Sequence, residues 1–203
     1  MGKEKYEKLY KEHECVFGLK PTPIVEKMMK YLASGRVIDL GAGEGRNSLF
    51  LAKKGFEATA IDNSKTAIDK LRKFTQEKKI SVNTILGDIR EFDIPQKQDA
   101  ILAMLIFHHF SRPETILLIK KMKLATREGG LNVLNVITKE GDFYRNNPNT
   151  DRFYAEQDEI KKIYQDWEIL EFDRRTWEAF QKRPDGSPMF NTSEEIIVRK
   201  LRD

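Results

Sequence analysis

A glycine-rich turn between an apolar strand and an amphipathic helix constrains this chain more than any other feature of its sequence. The apolar run from Arg36 to Leu40 leads into Gly41, Gly43 and Gly45, and helical spacing follows over residues 47–54. Glycine lets the backbone take positive φ and approach a ligand closely, while the start of a helix offers unpaired N–H groups. The pattern predicts a strand-turn-helix unit, which is either an ordinary tight turn or a cradle for a nucleotide-like ligand.

Strand-like and helix-like segments alternate through the first two thirds of the chain. Further strands are predicted over residues 57–61, 82–86, 99–105 and 131–137, with helices over residues 64–77 and 113–125. Such alternation predicts a parallel sheet covered by helices on both faces.

The two ends of the chain have a different character. Residues 3–32 are predicted to form one or two amphipathic helices, broken at Pro21 and Pro23 because proline disfavours helix in the preceding residue, and this segment is an expected cap. Near the other end, a helix is predicted over residues 155–164 and two long strands over residues 167–180 and 189–201. The proline- and glycine-containing run at residues 183–188 predicts a hairpin between these strands.

Composition excludes some classes of protein and predicts a location. No apolar stretch approaches the roughly 20 residues needed to cross a bilayer, and the charged first residues lack the apolar region of a signal peptide. A single cysteine, Cys15, agrees with the reducing cytoplasm. The 36 basic and 32 acidic residues, with a net charge of +4, are mixed along the chain. Because nucleic-acid binding usually leaves a concentrated basic footprint, no nucleic-acid partner is expected.

Two acidic residues follow the second and third predicted strands. Asp62 ends the second strand, where a carboxylate can accept hydrogen bonds from ribose hydroxyls, and Asp88 follows the third. Each acid taken alone is equally well a loop or helix-capping residue. Open α/β sheets bind ligands at the carboxyl ends of their strands. The two acids and the glycine turn together therefore favour a ligand that contains adenosine.

The residue at position 46 separates two classes of adenosine ligand. A dinucleotide-binding turn carries a small residue at the place where Arg46 stands, which disfavours a nicotinamide-dependent oxidoreductase. The sequence instead reads D-x-G-x-G-x-G from Asp39 to Gly45, and on these residues it resembles the class I S-adenosylmethionine-dependent methyltransferases. The resemblance spans nearly the whole chain.

This resemblance implies a fold and a domain organisation. The expected fold is α/β, with a Rossmann-like, doubly wound, mostly parallel seven-stranded sheet, an antiparallel C-terminal hairpin and an N-terminal helical cap. Because no internal repeat or low-complexity linker is seen, one methyltransferase domain is expected over residues 1–203. It divides into a cap (1–33), a cofactor-binding core (34–137) and a C-terminal helix with antiparallel strands (138–203).

The resemblance also implies a cofactor, S-adenosyl-L-methionine, and residues that bind it. The glycine turn would lie beside the methionine part, Asp62 would bind the ribose, and Asp88 would bind the adenine amino group with Ile89 against the ring. The implied cofactor-binding set is Asp39, Gly41, Ala42, Gly43, Gly45, Arg46, Asn47, Asp62, Asn63, Asp88, Ile89, Leu105, Tyr10 and Phe17.

A closer resemblance is carried by the run G-R-N-S-L-F-L-A over residues 45–52, which is followed by Gly55. On these residues the chain is similar to the TehB-type tellurite-resistance methyltransferases and their small-molecule relatives. Tyr6, Tyr10 and Phe17 likewise resemble the aromatic-bearing cap that closes over the cofactor in those relatives. The alternative is that these three aromatic residues pack the first helix on the core.

The run L-I-F-H-H-F over residues 105–110 departs from that family, so the resemblance does not carry a tellurium acceptor over to this chain. Adjacent residues point in different directions on a helix or a strand, so His108 and His109 are not expected to form a metal-binding pair. Both follow a strand at the expected substrate cleft, and imidazole titrates near neutrality. Either histidine is therefore a candidate proton acceptor or acceptor contact, or else a histidine satisfied by local hydrogen bonds.

Methyl transfer from a sulfonium mainly requires alignment and exclusion of water, because the leaving group is already activated by its positive charge. No motif of the DNA-base-methylating enzymes follows the fourth strand. The sequence therefore predicts a methyltransferase that acts on a small-molecule acceptor. An RNA or protein methyltransferase, supported by an isoelectric point of about 9.0, and a noncatalytic cofactor-binding module remain alternatives.

Overall fold

Helices and strands alternate along most of the chain in the computed structural model, which describes residues 3–146, 148 and 150–202. The helices are α1 (Lys3–Glu12), α2 (Pro23–Met28), α3 (Arg46–Lys53), α4 (Lys65–Lys78), α5 (Arg112–Ala125), α6 (Asp142–Arg145) and α7 (Glu159–Ile163). The strands are β1 (Arg36–Leu40), β2 (Glu57–Asp62), β3 (Asn83–Leu86), β4 (Gln98–Met104), β5 (Thr126–Ile137), β6 (Glu168–Lys182) and β7 (Pro188–Arg199). A short 3-10 turn, Phe107–His109, connects β4 to α5.

The seven strands form one sheet in the order β3-β2-β1-β4-β5-β7-β6. Strands β1 to β5 pair parallel with one another, whereas β7 pairs antiparallel with both β5 and β6. The predicted doubly wound, mostly parallel sheet with an antiparallel C-terminal hairpin is therefore confirmed. Strand order reverses between β1 and β4, and such a switch point opens a crevice at the carboxyl ends of the strands.

The central strands are buried on both faces of the sheet, which explains why they appear as continuous apolar runs in the sequence. On one face, Ile38, Leu40 and Ile101 share a core cluster with residues of α5. On the other face, Val37 and Leu102 share a cluster with residues of α2 and α3. This packing fixes the ends of β1 and β4, from which the candidate site is built.

Two features of the C-terminal part differ from the sequence-based expectation. The predicted helix over residues 155–164 is limited to α7, because the Ala155 N–H donates instead to the Ile137 carbonyl at 3.0 Å and extends the sheet edge. Helix α7 begins only after Asp158, whose backbone is left-handed with φ of 59°. The short helix α6 was not anticipated. Among the residues that the structure describes, no helix is long and apolar enough to cross a membrane.

Candidate functional site

A cavity of about 940 Å³ lies at the switch point of the sheet. Residues that follow β1, β2, β3 and β4 form one side of this cavity, α1 and the segment after it cover it, and β6 with α6 forms the far wall. Fifteen of the sixteen residues predicted from the sequence line it: Tyr10, Phe17, Asp39, Gly41, Ala42, Gly43, Arg46, Asn47, Asp62, Asn63, Asp88, Ile89, Leu105, His108 and His109. The exception is Gly45.

The glycine turn has the left-handed backbone that its sequence predicts, with φ of 67° at Gly41, 56° at Gly43 and 82° at Gly45. The two later glycines serve different purposes. A Cβ on Gly43 would lie 2.7 Å from the Tyr10 hydroxyl, whereas a Cβ on Gly45 would lie 2.3 Å from Cδ1 of Leu71 in α4. The bare backbone at Gly43 thus permits a close approach at the cavity, and the bare backbone at Gly45 lets the turn pack on α4.

Asp62 joins the end of β2 to the glycine turn. Its carboxylate accepts hydrogen bonds from the Gly43 N–H and the Ser64 N–H, each at 2.8 Å. Burial raises the pKa of Asp62, and these two backbone hydrogen bonds oppose that shift. A carboxylate has about four lone-pair positions, so Asp62 keeps the capacity to accept further hydrogen bonds from a ligand.

Asp39 and Arg46 bring opposite charges to the same end of the cavity. Asp39 is 2% exposed, and its Oδ2 accepts a hydrogen bond from the Ser48 hydroxyl at 2.7 Å. Its Oδ1 has no partner among the residues that the structure describes, and burial raises the pKa of Asp39 to about 6. Burial lowers the pKa of Arg46, the charge of Asp39 opposes this, and no described residue forms an ion pair with Arg46. Both side chains therefore have unused capacity for a charged ligand.

Asp88 is paired within the chain, which the sequence did not indicate. Its carboxylate accepts hydrogen bonds from Nε of Arg90 at 3.0 and 3.1 Å. Arg90 also donates to Glu114 at 3.1 Å, which links the turn after β3 to the first turn of α5. A ligand group that contacts Asp88 would therefore share this carboxylate with Arg90.

The other predicted residues are held in place by main-chain contacts or by burial. The Ala42 N–H donates to the Ile61 carbonyl at 3.0 Å, and Asn47 Oδ1 accepts from the Thr22 N–H at 2.8 Å. Ile89 is buried. Leu105 has an unusual left-handed backbone, with φ of 55°, and strain of this kind is often found at ligand sites.

Three aromatic residues of the cap, Tyr6, Tyr10 and Phe17, line the cavity, and Tyr10 is also buried against the core. The ring centroids of Tyr6 and Tyr10 are 6.2 Å apart, and those of Tyr10 and Phe17 are 6.3 Å apart. Tyr6 also contacts His109 edge to face, with 5.1 Å between centroids. Burial raises the pKa of Tyr6 to about 12, so its hydroxyl stays protonated at neutral pH. The cap thus contacts both the glycine turn, through Tyr10, and the histidine pair, through Tyr6.

A buried ion pair between Glu44 of the glycine turn and Lys70 of α4 holds the cap. It was not predicted from the sequence. Glu44 accepts from the Val16 N–H at 2.8 Å through one carboxylate oxygen and from Lys70 at 3.0 Å through the other. Lys70 also donates to the His13 carbonyl. The signal was present in the sequence as an acid between Gly43 and Gly45, but its partners come from distant segments.

Replacing Lys70 with methionine is expected to loosen the cap locally and to lower the free energy of unfolding by about 1–3 kcal/mol, because Glu44 would stay buried without a cationic partner. Hydrogen exchange at the Val16 amide should then accelerate. The matched control is Lys73→Met in the same helix, since Lys73 is 73% exposed in its pair with Glu77. Equal exchange rates at Val16 in both variants would contradict this role for the ion pair.

The two histidines lie on the 3-10 turn after β4, and their geometry corrects one expectation. Their rings lie side by side, with centroids 3.9 Å apart, instead of pointing in different directions. Both ring nitrogens of His108 lack hydrogen-bond partners within the described part of the chain. Burial lowers the pKa of His108 well below its usual value and that of His109 to about 4. Neither imidazole is therefore expected to titrate near neutrality.

The far wall of the cavity is aromatic and was not predicted. It includes Phe143 of α6 and Trp177 of β6, whose ring centroids are 6.4 Å apart. Hydrogen bonds fix both residues: the Phe143 N–H donates to Asn191 at 2.9 Å, and Trp177 Nε1 donates to Ser193 at 3.2 Å. No group of three or more potential metal ligands occurs among the described residues.

Comparison with known proteins identifies the class to which this site belongs. The sequence model of the family described as tellurite resistance protein TehB matches residues 7–188. A Haemophilus influenzae protein named probable S-adenosyl-L-methionine-dependent methyltransferase TehB is 29% identical over 171 residues, which cover 84% of this chain and 59% of that protein. An uncharacterized methyltransferase of Staphylococcus carnosus is 33% identical over 148 residues, 68% of each chain.

A solved structure agrees with these matches. The crystal structure of TehB from Haemophilus influenzae superposes with a TM-score of 0.78 and 27% identity, covering 88% of this chain and 62% of that one. The sheet and these relatives match the Rossmann-like fold of the S-adenosylmethionine-dependent methyltransferases, which is the fold that the sequence predicts. Within that class, the chain belongs to the TehB family. It spans about three fifths of the length of the first TehB relative it matches, 59%.

Proposed function

We propose that this chain transfers a methyl group from S-adenosyl-L-methionine to a small-molecule acceptor. The observation that carries the proposal is one continuous cavity with a charged, glycine-lined end at the switch point and an aromatic wall opposite. Small-molecule sites have volumes of roughly 300–1,000 Å³. At about 940 Å³, this cavity has room for the cofactor together with a second small molecule.

The residues at the charged end fit the cofactor. The unpartnered Oδ1 of Asp39 would accept a hydrogen bond from the ammonium of the methionine part, and Arg46 would donate to its carboxylate. Asp62 would accept from the ribose hydroxyls, and the bare backbone at Gly43 would allow close approach. Asp88 and Ile89 line the side at which the adenine would lie.

The cofactor would supply a methyl group on a positively charged sulfur and would remain afterwards as the neutral thioether S-adenosylhomocysteine. The chain's own residues would orient the two ligands and exclude water, which are the main requirements of such a transfer. Tyr6, Tyr10 and Phe17 cover the cofactor end. An imidazole with a pKa of about 4, such as His109, is a weak base at neutral pH. Alignment therefore contributes more to this reaction than proton removal by the histidines.

The histidine pair is expected to stay neutral from pH 6 to 9. A lowered pKa means that the neutral form prevails above that pKa, and for His109 this value is about 4. Nuclear magnetic resonance should therefore show no titration of the His108 and His109 ring protons in this range, with His13→Gln used to assign the third histidine. Replacing His108 or His109 with Gln should preserve cofactor affinity and lower turnover by much less than the roughly 100-fold typical of a lost general base. Titration of either ring near pH 7 would contradict the buried environment that lowers the pKa of both histidines.

Labelled methyl transfer tests the proposed function. The full chain would first be titrated with S-adenosylmethionine and with NADH by calorimetry, and then incubated with methyl-labelled S-adenosylmethionine and a small-metabolite extract. Binding of S-adenosylmethionine, label in a small product and release of S-adenosylhomocysteine are the expected results. Binding without transfer would favour a noncatalytic module, and label in RNA or protein would favour the macromolecular alternative. Tighter binding of NADH would contradict the cofactor assignment.

Domain organisation, location and partners are proposed on the following observations. A single domain with the cap, core and C-terminal parts bounded as above is supported by the one sheet that contains all seven strands described here. A cytoplasmic location is supported by the lone Cys15. The absence of a nucleic-acid partner is supported by basic residues that are spread along the chain.

A further inference from the structure

Arg152 occupies a fixed position at the acceptor side of the cavity. Its backbone forms an antiparallel bridge with Ser111, and the next residue, Phe153, donates its N–H to the Phe110 carbonyl at 2.8 Å. Phe153 and Tyr154 are both buried, which anchors the segment immediately after Arg152. Arg152 itself lines the cavity. The backbone position of Arg152 at this wall is therefore set by the fold.

The guanidinium of Arg152 forms no ion pair with any residue that the structure describes, and this distinguishes it from the other cations near the acceptor side. Lys182 pairs with Glu178, and Arg90 pairs with Asp88 and with Glu114. Burial raises the pKa of Tyr154, and the positive charge of Arg152 opposes that shift. The positive charge of Arg152 thus acts on Tyr154, and no anion of the described residues lies within ion-pair distance of it.

Arg152 shares the cavity with apolar rings that offer a larger surface than an inorganic ion requires. His108 connects Tyr154, two residues after Arg152, to the aromatic wall, because its ring centroid is 6.3 Å from that of Tyr154 and 6.1 Å from that of Phe143. Phe143 then contacts Trp177, as described above. The Trp177 ring is held by its own hydrogen bond and Phe143 by that of its backbone N–H, so the two rings provide an ordered apolar surface for a flat ligand. A bare oxyanion would leave this surface in contact with water.

Building on the methyl transfer proposed above, we propose that the acceptor is an organic anion: Arg152 binds its carboxylate, and a flat apolar body packs against Phe143 and Trp177. The planar guanidinium matches a carboxylate with two parallel hydrogen bonds, which makes Arg152 selective for this group over a neutral amide of the same shape. Arg152 is thus a specificity-determining residue for the acceptor, separate from Arg46 at the cofactor end.

A matched pair of probes tests this assignment. Calorimetry would first measure binding of S-adenosylhomocysteine to the full chain, and then binding of 2-naphthoate, 2-naphthamide and sodium tellurite to the loaded protein. We expect 2-naphthoate to bind about 10- to 100-fold more tightly than 2-naphthamide, the range expected for one charge-assisted contact. Failure to bind S-adenosylhomocysteine would count against the proposed function itself. Normal binding of S-adenosylhomocysteine without preference for the carboxylate would overturn only the acceptor class.

Variants test whether Arg152 causes the preference for the carboxylate probe over the amide probe. In Arg152→Gln the two naphthyl probes should bind with nearly equal affinity, whereas Arg152→Lys should retain part of the preference for the carboxylate. The control is Arg145→Gln, since Arg145 is 66% exposed and paired with Asp142. Affinity for S-adenosylhomocysteine should be the same in all three variants. An unchanged preference in Arg152→Gln, or tellurite binding more tightly than 2-naphthoate, would overturn the proposal.

Discussion

Replacing Gly43 with valine is expected to weaken binding of S-adenosylmethionine by about 100-fold or more while the sheet stays folded. Gly43 has φ of 56°, where a β-branched residue is strained. A Cβ would also lie 2.7 Å from the Tyr10 hydroxyl, so the added side chain would push the cap away and occupy ligand space. Calorimetry measures the affinity, and circular dichroism verifies the fold.

Gly55 provides a matched control for backbone strain. Its φ of 89° is also left-handed, but no atom lies within 4 Å of a Cβ built there. Gly55→Val is therefore expected to lose stability, by about 1–2 kcal/mol, and to keep its affinity for the cofactor. If both valine variants bind S-adenosylmethionine as the unmodified chain does, the turn at Gly43 does not approach the ligand.

The sheet could be predicted because its information is local. Strands β1, β4 and β5 are buried on both faces and are therefore rich in apolar residues, and glycines or a helical pattern separate each from the next. The position of the site followed from the same logic, because the glycine turn, Asp62 and Asp88 each come directly after a strand. Parallel strands bring such residues to one edge of the sheet whatever loops connect them.

The properties of the histidine pair could not be predicted, because they depend on residues far away in the sequence. His109 is covered by Tyr6 from the cap, and His108 lies beside Phe143 and Tyr154 from the C-terminal part. Burial by these segments lowers both pKa values, whereas the sequence shows only an imidazole after a strand. The aromatic wall likewise depends on distant residues. Trp177 lies on β6, which joins the sheet only by pairing with β7, and β7 in turn pairs with β5.

Local patterns also failed where a tertiary contact outweighed them. Residues 155–164 have helical spacing, but Ala155 bridges to Thr138 beside β5, and the hydrogen bond to the Ile137 carbonyl is incompatible with a helix starting there. At Gly45 the glycine motif does not reveal a tertiary requirement, because a Cβ at this position would lie 2.3 Å from Cδ1 of Leu71 in α4.

Asp62 is expected to have the second largest effect on cofactor binding. Replacing it with alanine should reduce affinity for S-adenosylmethionine by about 1.5–3 kcal/mol, or roughly 10- to 150-fold, because hydrogen bonds to a charged group would be lost. The structure gives a second reason for the loss of affinity, because both the Gly43 N–H and the Ser64 N–H donate to this carboxylate at 2.8 Å. Alanine would leave both donors without their partner and loosen the turn itself. The control is Asp69→Ala on the surface of α4, where Asp69 pairs with Lys65 and should not affect binding.

A double-mutant cycle separates the ribose contact from support of the turn. S-adenosylhomocysteine and its 2′,3′-dideoxy analogue would each be titrated into the unmodified chain and into Asp62→Ala. If Asp62 accepts hydrogen bonds from the ribose hydroxyls, the dideoxy analogue should bind more weakly than S-adenosylhomocysteine to the unmodified chain. The difference in affinity should be much smaller in the variant, with a coupling energy of about 1 kcal/mol or more. If Asp62 only supports the turn, both ligands should lose the same affinity in the variant. That equal loss would contradict the ribose assignment. Asp62 would then affect cofactor affinity only through the hydrogen bonds that it accepts from Gly43 and Ser64.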